Sequence, residues 1–176
     1  MHNRQTLDQI ADLLLSTPDA LRATLAPLTP AQRRARPAAG GWSMIDVVVH
    51  LLSGDGPAFA DRIRFIIEER GPELPRFDPD AQVDAYAVQD ASLDALLDRL
   101  ARQRRTHSAW VRTLDPALLA RTVQYEPYGR LAAWDFVTEW PYHDQAHLAQ
   151  IGALLRQQLL PGMSPAMRRA LGHDAA

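Results

Sequence analysis

Residues 140–152 read WPYHDQAHLAQIG and place His143 and His147 four positions apart. On an α-helix, side chains four positions apart lie one above the other on the same face. The same face carries Phe136 and Leu154, so it is the face that packs into a protein core. Because a buried imidazole without a polar partner is unfavourable, the spacing predicts that both histidines bind something inside the fold.

A third histidine lies in an apolar part of another helix. Between residues 44 and 52 the only polar side chains are Asp46 and His50, which are also four positions apart. We therefore predict that His50, His143 and His147 converge in the interior and bind a divalent metal, with Zn, Ni, Mn or Fe as candidate ions. Three protein ligands with open coordination positions are typical of a catalytic metal site.

Further polar residues share these helix faces, each about one turn from a predicted ligand: Asp46, Glu139 and Gln150. We expect them to orient the imidazole N–H groups or to contact water at the metal, and they are the candidate catalytic residues. His107, on a different helix, is expected to be a histidine at the edge of the core rather than a fourth ligand.

The pattern of apolar residues predicts the fold class. Four long stretches have helical spacing, and no strand-like alternation of useful length is present. The chain is therefore predicted to be all-α, a four-helix bundle formed by one domain over residues 1–176. The predicted helices cover about residues 4–26, 43–67, 83–114 and 131–160.

Local signals refine these helices. Thr17–Pro18 favours a restart of the first helix, and Thr29–Pro30 predicts one helical turn in the connection that follows.

The second helix has its own signals. Ser43 and Asp46 predict a capping box at its start, and the glycines and proline at 54–57 are expected to bend or interrupt it. Residues 71–82 and 115–130 are predicted to be connections.

Two segments resemble the DinB/YfiT-like superfamily. GGWSMIDVVVHLLSGD, residues 40–55, is similar to its pattern W-S-x-x-(D/E)-x-x-x-H-L. YGRLAAWDFVTEWPYHDQAHLAQIGALLRQ, residues 128–157, is similar to its final helix, with the pattern H-x-x-x-H-x-x-Q-I. The resemblance implies a four-helix bundle, often dimeric, in which a crossover links parallel second and third helices. It also implies that His50, His143 and His147 are the metal ligands.

Two positions depart from the pattern of that superfamily. Leu148 stands where its members often carry another histidine, and Pro141 lies inside the ligand-bearing helix. Both departures leave the three ligand positions intact, so they bear on substrate contacts rather than on the metal.

The resemblance implies a divalent-metal-dependent enzyme that acts on a small molecule, either a hydrolase or a transferase of a low-molecular-weight thiol. Both reactions use a cation to stabilise an anionic nucleophile. The alternatives are a non-catalytic metal or small-ligand binding protein of a stress response, and a bundle whose histidines form only hydrogen bonds. The zinc-protease motif H-E-x-x-H is not matched, since Asp144 stands in place of the glutamate.

Composition excludes several other functions. The chain has no cysteine and no lysine, which excludes thiolate ligands, a cysteine nucleophile and a lysine Schiff base. A net charge of −2 with scattered arginines gives no broad basic surface for nucleic acid or membrane, and RQRR at 102–105 is expected on a solvated face. The polar N-terminal residues predict a cytoplasmic protein. We expect the partner to be a small-molecule substrate. A homodimer is implied only by the resemblance to the superfamily.

Overall fold

Helices form most of the structure, as the sequence predicts. The computed structural model describes residues 6–75 and 92–173. Its α-helices are α1 (Leu7–Leu25), α2 (Pro30–Arg34), α3 (Met44–Gly54), α4 (Asp61–Ile67), α5 (Leu93–Arg112), α6 (Ala133–Leu159) and α7 (Pro165–Ala170). A π-helical segment, Asp55–Ala60, joins α3 to α4, and 3-10 turns lie at Leu118–Ala120 and Leu160–Gly162.

Four helices pack into the bundle: α1, the joined α3 and α4, α5, and α6. Both α1 and the joined α3 and α4 pack against α5 and α6. Buried apolar side chains form two clusters, one toward each end of the bundle. Representative members are Leu14, Ile63, Val111 and Val137 in the first cluster, and Leu25, Val48, Leu97 and Leu154 in the second.

The two clusters give the direction of each helix. The N-terminal halves of α1 and α6 lie in the first cluster and their C-terminal halves in the second, whereas the joined α3 and α4, and also α5, run the other way. The second and third bundle helices are therefore parallel, and the chain must return along the bundle between α4 and α5. This confirms the predicted crossover, although most of the predicted linker at 71–82 lies outside the described residues.

The second bundle helix starts and breaks where the sequence predicts. The Ser43 hydroxyl accepts from the Asp46 N–H at 3.2 Å, and an Asp46 carboxylate oxygen accepts from the Ser43 N–H at 2.8 Å, which completes the capping box. The π-helical segment then follows Gly54 and contains Gly56 and Pro57. It changes the face on which later side chains emerge, because each of its turns holds more residues than an α-helical turn.

The first helix lacks the predicted restart, and the third helix begins later in the chain than predicted. The helix α1 runs without a restart through Pro18, because the Thr17 hydroxyl faces the core and contacts Asp144 instead of capping a new helix. The predicted turn after Thr29 is present as α2. The third helix begins only after Ser92, whose hydroxyl caps it, so a continuous helix from residue 83 is wrong. Residues 83–91 themselves lie outside the described part of the chain.

A short hairpin replaces part of the predicted connection at 115–130. Strand β1 (Thr122–Tyr125) pairs antiparallel with β2 (Gly129–Ala132), and Tyr125 faces Gly129 in the register. Gly129 has φ of +85°, a conformation that favours glycine at this turn. The backbone N–H of Leu74 donates to the carbonyl of Gln124 at 3.1 Å, so the segment after α4 lies along the hairpin. The apolar pattern did not predict these two short strands, which are a minor addition to the predicted all-α bundle.

Membrane crossing can be assessed from the helices of the described residues. None of them combines the length and the apolar composition that crossing a membrane requires.

Candidate metal centre

Two helices bring the three predicted ligands together. His50 lies on α3, and His143 and His147 lie one turn apart on α6. The Nε2 atom of His143 is 3.0 Å from Nε2 of His50 and 3.1 Å from Nε2 of His147. One ring nitrogen from each histidine lies within 4.8 Å of the other two, as a group able to hold one metal ion requires. The residues predicted to converge from separate helices therefore do so.

Aromatic rings enclose the three imidazoles. The Trp42 ring centroid lies 4.6 Å from that of His50 and 6.0 Å from that of His147. The Phe59 ring lies 5.1 Å from that of His143 on another side. His50 is only 6% exposed. This apolar wall limits water around the ring nitrogens, which strengthens any electrostatic interaction that they make.

Burial also keeps the imidazoles uncharged. It lowers the pKa of His50 to about 4, and a charge on His147 would lower that pKa further. It lowers the pKa of His143 to about 3, with additional contributions from the charges of His147, His50 and Arg104. Burial lowers the pKa of His147 as well. At neutral pH all three rings are therefore neutral, the form of imidazole that binds metals.

Gln150 orients one of the rings. Its Oε1 atom lies 2.8 Å from Nδ1 of His147. An amide oxygen only accepts, so with the amide oriented in this way His147 carries its proton on Nδ1. The lone pair on Nε2 then points toward His143. Nδ1 of His50 and Nδ1 of His143 are buried and have no hydrogen-bond partner among the described residues.

The other two predicted catalytic residues lie in different places. The Asp46 carboxylate contacts Ser43 in the capping box and Arg36 at 2.9 Å, so its contacts are at the start of the helix that carries His50. Glu139 lies at the mouth of the site. It lines a pocket of about 170 Å³ whose other lining residues are His50, Gly54, Ala58, Phe59, Arg62 and His143. Desolvation at the pocket raises the pKa of the Glu139 carboxyl, and the charge of Arg62 opposes that shift.

A group of charged side chains that was not predicted lies beside the histidines. Two Arg104 nitrogens donate to the two Asp144 carboxylate oxygens at 2.6 and 2.8 Å, and Arg104 Nε lies 2.8 Å from Asp55 Oδ1. We call Asp55, Arg104 and Asp144 the buried ionic cluster, since each is at most 1% exposed. Burial raises the pKa of Asp144, while the Arg104 guanidinium and the Thr17 hydroxyl lower it.

Neighbouring polar groups complete the contacts of the buried ionic cluster. The Thr17 hydroxyl donates to Asp144 at 2.7 Å, and the Trp140 indole N–H donates to Asp55 at 2.9 Å. Nδ1 of His107 lies 2.8 Å from the other Asp55 oxygen. His107 thus contacts the buried ionic cluster and is outside the group of three converging histidines.

One sequence signal could have revealed part of this cluster. The prediction that residues 102–105 form a solvated face is wrong at Arg104, because this arginine lies four positions after Leu100 and four before Ser108 on the buried stripe of α5. Two carboxylates offset its charge there. Asp55 gave no such signal, since a residue five positions after His50 lies about 140° away from it on a regular α-helix.

Comparison with protein-family models identifies the family of this chain. A family model described as the DinB superfamily matches residues 13–151, which include all three converging histidines. The chain belongs to the DinB superfamily. A comparison with curated proteins gives no significant match.

A solved structure supports the superfamily assignment at the level of the fold. It is YfiT from Bacillus subtilis, described as a probable metal-dependent hydrolase with an unusual four-helix bundle topology. The two chains are 20% identical and superpose with a TM-score of 0.77 over 93% of this chain and 94% of YfiT. Because the two chains are only 20% identical, this similarity shows that they share a fold.

Proposed function

We propose that this DinB-superfamily chain is a divalent-metal-dependent enzyme that acts on a small molecule, with hydrolysis as its leading reaction. The convergence of three neutral imidazoles beside an open pocket is the observation that carries the proposal. The similarity to YfiT, itself described as a probable metal-dependent hydrolase, supports the choice of reaction.

The residues present fit a divalent metal. Each of the three histidines offers a nitrogen lone pair in the same small volume, and Gln150 fixes the tautomer of His147 that leaves Nε2 free. His50, His143 and His147 would hold the ion, and three protein ligands leave positions open for substrate. A bound Zn, Ni, Mn or Fe ion would supply a Lewis acid and would lower the pKa of water or of a thiol at the site.

Glu139 is the proposed proton-transfer residue. It lies one turn before His143 and lines the pocket that reaches His50 and His143. The raised pKa of Glu139 is closer to neutral pH than that of an ordinary carboxyl. A group whose pKa lies near the working pH can both accept and donate a proton during a reaction. Gln150 is proposed to act through His147. For Asp46, the contacts with Ser43 and Arg36 favour a role in fixing the helix that carries His50.

Transfer of a low-molecular-weight thiol is the second candidate reaction, and a non-catalytic binding protein is the alternative. The thiol would have to come from outside, because the chain has no cysteine. The same three imidazoles would serve either reaction by stabilising an anionic nucleophile. A cytoplasmic location and a homodimer stay predictions.

Metal analysis tests the site itself. The untagged protein should bind close to one equivalent of Zn, Ni or Mn after reconstitution, and His143→Ala should lose that binding. His173→Ala is the matched control, because His173 is exposed near the end of the described chain. An unchanged metal content in His143→Ala, or no binding by the wild-type protein, would contradict the proposal.

A turnover screen separates the reactions. The metal-loaded protein is offered small esters and amides, and separately a thiol with an electrophile. We expect ester or amide hydrolysis that is lost when all three histidines are changed to alanine and is reduced at least about 100-fold in Glu139→Gln. Turnover only in the presence of a thiol would establish the transferase instead. Metal binding without any turnover would favour the binding protein.

A further inference from the structure

The buried ionic cluster takes no part in the reaction proposed above, yet it is unusual for the core of a small bundle. Arg104 and Asp55 are each 1% exposed, and Asp144 is fully buried. Removing three charged groups from water is unfavourable unless they are closely paired, and an apolar core would fill the same space without that penalty. The cluster therefore calls for a role beyond packing.

Both carboxylates of the cluster lie beside metal-site histidines. Asp144 directly follows His143 on α6, and Asp55 begins the π-helical segment five residues after His50. Arg104 comes from α5, which packs against α1 and α3 and contributes no histidine to the site, and its side chain reaches across the core to α6. Its guanidinium contacts both carboxylates at once, with distances of 2.6 and 2.8 Å to Asp144 and 2.8 Å to Asp55.

Additional contacts fix both carboxylates in place. Thr17, from α1, donates to Asp144, and the indole of Trp140, three residues before His143, donates to Asp55. The cluster and these two partners thus include at least one group from every bundle helix, and two from α6. Trp140 also stacks on Phe59 at 5.2 Å, and Phe59 contacts the ring of His143.

We propose that Arg104 is a positioning residue that sets the separation between the helix carrying His50 and the helix carrying His143 and His147. Metal–imidazole bonds are about 2.0–2.1 Å long, so a small shift of one helix changes how well three rings share an ion. The planar guanidinium can contact two carboxylates from different sides, whereas a lysine ammonium on the same helix acts as a single point charge. The expected effect of Arg104 on metal binding rests on the proposed function.

The test compares Arg104→Lys with Arg112→Gln. Arg112 lies two turns later on α5 and also contacts two carboxylates, Asp8 and Asp12 of α1, but at the surface and away from the histidines. Three measurements are made on each protein: Zn affinity by competition with a chelating dye, the visible absorption spectrum of the Co-loaded protein, and the ¹⁵N signals of the histidine rings in metal-free protein.

We expect Arg104→Lys to bind Zn at least about ten-fold more weakly, to shift the Co absorption bands and to change the ring signals of all three histidines. Arg112→Gln should match the wild type in all three. Wild-type ring signals and an unchanged Co spectrum in Arg104→Lys would overturn the proposal.

The ring signals also separate this inference from the function on which it rests. If the wild-type protein binds no metal, the proposed function fails, and the metal-free ring signals still decide whether Arg104 positions the histidines. If Arg104→Lys does not fold, Thr17→Val and Asp55→Asn take its place, because the first removes a hydrogen bond to Asp144 and the second removes the negative charge that Arg104 contacts. Unchanged ring signals in both would count against the proposal.

Discussion

The neutral state of the buried histidines makes the stability of the metal-free protein depend on pH. In the folded protein the pKa of His50 is about 4, below the ordinary value of 6.5, because the ring is buried. Below pH 6.5 the unfolded chain therefore binds more protons than the folded chain. Stability from this group is complete above pH 6.5 and is lost as the pH falls toward 4.

We therefore expect the free energy of unfolding of metal-free protein to fall by about 2 kcal/mol from His50 alone between about pH 7.5 and about pH 5. Urea unfolding at about pH 7.5 and about pH 5 measures it. His50→Gln should show a correspondingly smaller difference between the two pH values, while His173→Gln should behave as the wild type. An equal pH dependence in His50→Gln and wild type would mean that this ring is not the source.

Gln150 offers a second test at the scale of single residues. Its amide oxygen accepts from Nδ1 of His147 at 2.8 Å and so orients a predicted ligand. Loss of such an orienting partner typically weakens metal binding about 10–100-fold, and we expect Gln150→Ala to fall in that range. Gln157→Ala, an exposed change on the same helix, is the control for Zn titrations. Identical affinities in the two variants would remove Gln150 from the site.

At the scale of elements, the capping box is expected to determine how firmly α3 is held. Ser43 is buried, and its hydroxyl and backbone N–H both bond to Asp46. Replacing an N-cap serine with alanine generally costs about 1 kcal/mol, and we expect Ser43→Ala to lose at least that much in urea unfolding. Ser164→Ala, which removes the cap of the exposed terminal helix α7, should cost less than about 0.5 kcal/mol. Equal losses would show that burial of the cap is irrelevant.

The helices, the hairpin and the buried ionic cluster differ in how well the sequence alone predicts them. The helices and the three histidines were predictable, because spacing within one helix determines which side chains share a face. Asp55 was missed since the π-helical segment changes that spacing, and Arg104 was missed because its charge concealed its place on a buried stripe. The hairpin was missed since its strands have only four residues each. Contacts between helices, such as Thr17 with Asp144, cannot be read from either helix alone.

For the molecule as a whole, metal binding should raise thermal stability. A ligand that binds only the folded state adds about 2.7 kcal/mol when present at 100 times its Kd. In a chain of this size that corresponds to a rise in Tm of about 5–11 °C. Differential scanning calorimetry with and without Zn measures the change, and His143→Ala should show little of it. A comparable rise in His143→Ala would place the stabilising ion elsewhere.

The order of the bundle helices along the chain also bears on how the protein matures. His50 and His143 are 93 positions apart, and the last bundle helix supplies two of the three imidazoles. During translation, a ribosome-bound chain that has emerged only as far as α5 holds a single one of them. Binding of one ion by all three rings would therefore require that α6 has been synthesised, and the ions available at that moment would determine which one is bound.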